Sequence, residues 1–108
     1  MIKVSVMYPY AGDVRFDHAY YRETHMPMMK RLLGAACLYY MVDKGISGRA
    51  PGIDPVYVAK CEFVCTSVEA YRAASGQHQQ EIRGDIANYT DIQPVVQISE
   101  VVVERSEV

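Results

Sequence analysis

The order in which the hydrophobic period changes along the chain leaves few folds open to it. Residues 2–8, IKVSVMY, set Ile2, Val4, Val6 and Tyr8 against Lys3, Ser5 and Met7, the two-residue alternation of a strand. Pro9 and Gly12 close it. The period then lengthens. Tyr20, Thr24, Met28 and Leu32 recur at four-residue spacing, flanked by Tyr21, His25 and Met29, which is helical. Asp17 offers an N-cap oxygen with Phe16 ahead of it as the outer half of a hydrophobic staple. At the other end Lys30 and Arg31 precede Gly34, a residue that stops helices readily. Residues 36–46, ACLYYMVDKGI, return to strand formers, and SGRAPGIDP, 47–55, is a loop by composition. VYVAKCEFVC, 56–65, alternates again, with Tyr57, Ala59, Cys61, Phe63 and Cys65 on one side and Val56, Val58, Lys60, Glu62 and Val64 on the other. Ser67 caps a second helix, whose buried side is Val68, Tyr71, Ala74 and Ile82. Gly76 weakens its middle by about 1 kcal/mol relative to alanine. DIANYTDIQP is rich in turn formers, and VVQISEVVVE is the last strand.

The order is therefore β-α-β-β-α-β, an α+β class chain with the ferredoxin-like arrangement: one antiparallel sheet with both helices on one face. At 108 residues it is a single domain, 1–108. The other face of the sheet must be covered, because Val4, Val58, Val64, Val96 and Ile98 cannot all be satisfied on the helix side. A second copy packed sheet to sheet would do this, giving a homodimer in the form of a dimeric α/β barrel.

Composition removes several functions. A net charge of -2 with 22% charged residues provides no basic stripe, so no nucleic-acid partner is expected. No apolar run approaches the roughly 20 residues that cross a bilayer, so no membrane is expected either. MIKVSVMYPY reads as a strand and not as a signal peptide, which makes the cytoplasm the expected location. Three cysteines fit a reducing compartment. Cys61 and Cys65 lie about 13 Å apart along one strand, too far for a disulfide, and read as small buried hydrophobes. His18 and His25 stand about 10.5 Å apart on a helix, too far to share an ion, and His78 lies in a run of glutamines, so no metal is expected.

The chemistry concentrates in RFDHAYYRETHMP, residues 15–27. A proline within a helix costs about 3 kcal/mol, since it lacks an N–H and crowds the carbonyl four residues back. A kink after His25 would free the Glu23 carbonyl, open space between helix and sheet, and fix the direction of the ring. His25 then has the ordinary pKa of a general acid or base at neutral pH. Against this stands a purely structural role, in which the ring pins the kink by donating to a backbone carbonyl. Nine tyrosines with two phenylalanines and no tryptophan point to a use for hydroxyls. Tyr8, Tyr20, Tyr21, Tyr57, Tyr71 and Tyr89 are the candidates for ligand contact, with Tyr21 and Tyr8 foremost; core packing is the ordinary role of each.

YYRETHMPMMKRLLG on the first helix, VEAYRAA at the start of the second and NYTDIQPVVQISEV near the end closely resemble the EthD family, over nearly the whole chain. The resemblance implies a dimeric α+β barrel and a setting of small-molecule catabolism, named for ethyl tert-butyl ether degradation beside a cytochrome P450 system. The expected ligand is a small hydrophobic, oxygen-bearing compound, with His25 as general acid/base, Tyr21 as its catalytic companion, and Tyr8, Tyr20, Met28, Tyr57 and Tyr89 as substrate-binding residues. Relatives sharing the barrel include cyclases, dehydratases and cofactor-free monooxygenases. An oxidoreductase label draws no support from the residues, because no glycine-rich dinucleotide fingerprint follows a strand, and no cofactor is expected. The alternative is a non-catalytic protein that binds a hydrophobic intermediate or assists a partner oxygenase.

Overall fold

The computed structural model describes residues 1–107. Its elements run β1 (Ile2–Pro9), α1 (His18–Tyr20), a wide π-turn (Tyr21–His25), α2 (Met26–Leu33), a 3-10 turn (Gly34–Ala36), β2 (Cys37–Lys44), β3 (Tyr57–Cys65), α3 (Val68–Gly76), α4 (Gln79–Ile86) and β4 (Val95–Glu100). The strands form one antiparallel sheet in the order β2-β3-β1-β4, the ferredoxin-like order that the sequence periods predict. Three elements depart from expectation. The second helix breaks into α3 and α4 at Gln77 and His78, just past the weak Gly76. The last strand stops at Glu100 instead of continuing through the valines. The third departure shapes the site.

Where the sequence leads one to expect a kink after His25, the first helix has a widened turn that ends at it. The Met26 N–H donates to the Tyr21 carbonyl, five residues back, and Pro27 then occupies the second position of α2. A proline ring collides with the carbonyl four residues earlier in a regular helix, and an added residue in the turn moves that carbonyl aside. The widening also changes which residues face inward. Tyr21, His25, Met26, Met29 and Leu33 are buried, whereas Thr24 is exposed and Tyr20, Met28 and Leu32 are only half-buried. The expected four-residue stripe is thus displaced by one position. The caps behave as predicted: Asp17 accepts from the Tyr20 N–H, Ser67 accepts from the Ala70 N–H, and Gly34 takes a positive φ of 56° that an L side chain adopts rarely.

Register fixes the two faces of the sheet. Val4 pairs with Phe63 and Ile98, and Val6 with Cys61 and Val96, so these side chains share the helix-covered face. Val64 pairs with Lys3 and Tyr39 on the other. This corrects the grouping of Val4, Val96 and Ile98 with the bare face. That face instead mixes Met7, Tyr39, Met41 and Val95 with a polar centre in which Glu62 accepts from Lys3 at 3.0 Å and from Ser5 at 3.3 Å. Beyond β4 the Val101 N–H donates to the Met1 carbonyl and the Tyr39 hydroxyl of β2 donates to Glu104.

Cys61 and Cys65 are buried, as expected, but Cys65 has a neighbour that sequence spacing could not show. Cys37 lies directly opposite it across the β2–β3 ladder, and both thiols are free. Burial and the adjacent Cys37 push the Cys65 thiol up to about 11, which keeps it protonated at neutral pH.

Candidate active site

A cavity of about 900 Å³ opens between the sheet, the first helix and α4. Val6 and Tyr8 of β1 and Cys61 and Phe63 of β3 form its floor. Tyr21, His25, Met26 and Met29 form one wall, and Ile82, Ile86 and Val96 another. The inner walls are mostly apolar with a few polar groups, the usual make-up of a small-molecule site.

His25 closes the wide turn, and its ring is 6% exposed. Nδ1 lies 2.8 Å from Asp85 Oδ2, at the end of α4. The same carboxylate accepts from the Tyr20 hydroxyl at 2.6 Å and from the Asn88 amide at 3.0 Å through Oδ1. An ionised carboxylate has no proton to give, so Nδ1–H is the donor and Nε2 carries the lone pair. Nε2 stands 3.4 Å from the Tyr89 hydroxyl, and that hydroxyl stands 2.7 Å from the Tyr8 hydroxyl. A chain of Asp85, His25, Tyr89 and Tyr8 therefore runs from the outer helix to the floor of the cavity.

Backbone contacts put Tyr89 there. Phe16 bridges Thr90, the Asp17 N–H donates to the Tyr89 carbonyl at 2.8 Å, and the Thr90 hydroxyl donates to the Arg15 carbonyl at 2.6 Å. Arg15 in turn reaches the Ala87 carbonyl at 2.7 Å. The turn after α4 is thus clamped onto the start of the first helix. Rings complete the clamp: Tyr89 packs against Tyr8, Phe16, Tyr20, Tyr21 and His25.

Burial sets the protonation states. It pushes the His25 pKa below the ordinary imidazole value, against the opposing pull of Asp85, so the ring is neutral at pH 7 and Nε2 is available as a base. Burial also raises Asp85, but hydrogen bonds from Tyr20, His25 and Asn88 outweigh it and hold the carboxyl below its usual range. The Tyr8 hydroxyl is pushed up to about 12, and Tyr89 is raised by burial as well, so both keep their protons. A neutral imidazole backed by a carboxylate and facing two protonated phenols can take a proton and return it.

Of the residues singled out from sequence, Tyr8, Tyr21, His25, Tyr71 and Tyr89 meet at this cavity. The Tyr21 ring lies nearly parallel to His25, 13° off, yet its hydroxyl is buried beside the Cys61 thiol with no hydrogen-bond partner among the described residues. Tyr89, not Tyr21, supplies the hydroxyl next to Nε2. Tyr20 stands behind the histidine on Asp85 and not in the cavity wall, and Met28 is outside it, with Met26 and Met29 in its place. Tyr57 lines a separate hollow of about 460 Å³ near the β2–β3 loop. Asp85 escaped the sequence reading altogether, since sixty positions separate it from His25 and it falls in a stretch that reads as turn.

Comparison with known proteins agrees with this architecture. An EthD-like protein from Ralstonia eutropha JMP134 is 62% identical, with a TM-score of 0.96 over 98% of this chain and 96% of its own. An ethyl tert-butyl ether D (EthD) family protein from Bacillus halodurans C-125 superposes with a TM-score of 0.63 at 18% identity, covering 93% of this chain and 97% of its own. A DABB family protein with a ferredoxin-like fold from Mesorhizobium loti MAFF303099 shares the fold, with a TM-score of 0.54 at 13% identity over 92% of this chain and 94% of its own. No curated protein matches. Residues 13–93 match the EthD domain, and with the Ralstonia relative alike from end to end, the chain belongs to the EthD family.

Proposed function

We propose that the protein is an acid–base enzyme of small-molecule breakdown, acting on a hydrophobic, oxygen-bearing compound held in the cavity. His25 is the proton-transfer group, Asp85 orients it, and Tyr89 with Tyr8 stabilises charge that develops on a substrate oxygen. The observation that carries this reading is the buried Asp85–His25–Tyr89–Tyr8 chain at the wall of an apolar cavity. Chemistry of that kind is proton transfer, as in enolisation, cyclisation or dehydration, and it needs no bound cofactor. Ether or aromatic degradation beside an oxygenase is the setting that the family name favours.

A second reading is favoured by one distance. Nε2 faces Tyr89 at 3.4 Å instead of open space, which suits a binding or accessory protein whose polar chain only positions a ligand. A thermal-shift screen of small ketones, phenols and ethers identifies ligands, because anything that binds only the folded state raises the melting point. A ligand that His25→Gln still binds but no longer converts supports catalysis. A ligand that the wild-type protein binds and never converts supports the accessory role.

The assembly is read as a homodimer closed across the bare sheet face, on which Met41 is 46% and Val95 47% exposed. Sedimentation of the purified chain at micromolar concentration should give twice the 12.2 kDa monomer mass, and a stable monomer would refute the pairing.

A further inference from the structure

The cavity has a sharp internal contrast. Its deep end is apolar apart from the histidine–tyrosine chain, while its exposed end carries Gln79, Arg83, Asp91 and Gln93. Arg83 is the one arginine or lysine in the lining. Asp91, the acid at that end, already faces Arg15 at 3.6 Å. Asp85 is held from behind by Tyr20, His25 and Asn88.

Arg83 itself has no carboxylate within ion-pair distance among the described residues. The sequence of α4 explains why. Helix neighbours three and four residues away are those that can meet, and for Arg83 they are Gln79, Gln80, Ile86 and Ala87, none of them acidic. A solvated surface arginine on a short helix gains from a glutamate at one of these places. This one has an amide at the position that would pair best, and both residues belong to the cavity wall. A guanidinium with five donors and no acceptor among the described residues, at the mouth of an apolar hollow, suits an oxyanion arriving from outside.

We infer that the ligand of this cavity is an acid: an apolar or aromatic body bearing a carboxylate, which Arg83 receives at the mouth with the Gln79 amide beside it. The body lies along Ile82, Ile86 and Phe63, and the reacting oxygen function sits at the opposite end, against His25 and Tyr89. The inference rests on the cavity being the ligand site proposed above, and it narrows that proposal from any oxygenated hydrophobe to an anionic one.

The test compares two probes with the same apolar body, 2-naphthoate and 2-naphthalenemethanol, by titration calorimetry on the full chain. The acid should bind about tenfold more tightly than the alcohol at low salt, with the preference shrinking as ionic strength rises. Arg83→Gln should erase the preference while leaving the alcohol's affinity unchanged, and Arg83→Glu should reverse it. Arg72→Gln, on α3 and outside the cavity wall, is the control and should change nothing. Equal binding of acid and alcohol by the wild-type protein, or a preference that survives Arg83→Gln, overturns the role of the arginine and leaves the cavity standing. Failure of both probes to bind at millimolar concentration overturns the ligand-site reading and this inference with it.

Discussion

Replacing His25 with alanine is expected to slow conversion of the substrate by about 10²–10⁴-fold, the usual contribution of a positioned acid–base group. Binding should change little, because the wall around the ring is built from Tyr21, Met26, Met29 and Tyr89. The pH profile carries the finer information. Nε2 acts as a base only when the ring is neutral, and burial depresses its pKa, so activity should hold on acidification past the ordinary histidine range and fall only below it. Asp85 pulls the other way, raising the ring's pKa by its hydrogen bond and charge. Asp85→Asn should therefore move the acid limb of the profile to still lower pH while reducing kcat, whereas a change at a merely structural carboxylate would leave the limb in place. If His25→Ala retains full turnover, the proton-transfer role is gone.

The second large effect is on stability. Tyr89→Ala should destabilise the protein by about 3–5 kcal/mol, the range for deleting a fully buried aromatic ring. Tyr89 is 0% exposed and touches rings from β1, the approach to the first helix, the first helix and the wide turn. Tyr89→Phe keeps that packing and strands the Tyr8 hydroxyl, so it should cost only about 1–3 kcal/mol. Urea midpoints of the two variants, compared at equal slope, measure the difference. A Tyr89→Ala protein as stable as wild type would show that the clamp between the two segments contributes nothing.

Strand order, caps and the C-terminal glycine of the first helix were legible because each rests on local chemistry: alternation, a side-chain oxygen at Asp17 or Ser67, a missing Cβ at Gly34. What the chain hid was non-local or depended on one extra residue of winding. The stripe through Tyr20, Thr24 and Met28 follows from a uniform 3.6-residue period, whereas the buried side, with the i→i+5 winding that ends at Met26, is Tyr21, His25, Met26 and Met29. Pro27 gave notice of trouble in the helix, but two remedies exist for a misplaced proline, a bend or a bulge, and local spacing does not choose between them. Asp85 shows a different gap. Its partner His25 comes from another helix, and only the tertiary clamp through Thr90 and Arg15 brings them to 2.8 Å. Cys37 and Cys65 illustrate the same gap, since their apposition depends on the register of two strands joined by a loop.

A coil that already holds one residue too many can lose one and keep its phase. Elsewhere along Met26–Leu33 an omitted residue swings everything beyond it by roughly 100°, carrying Leu33 out toward solvent. Between Tyr21 and His25 the same omission would tighten the winding to the ordinary pitch and set the Pro27 ring against the carbonyl four residues back, so the extra residue and the proline belong together. A deletion in the wide turn is therefore expected to fold well only when Pro27 is replaced by a residue that carries an N–H.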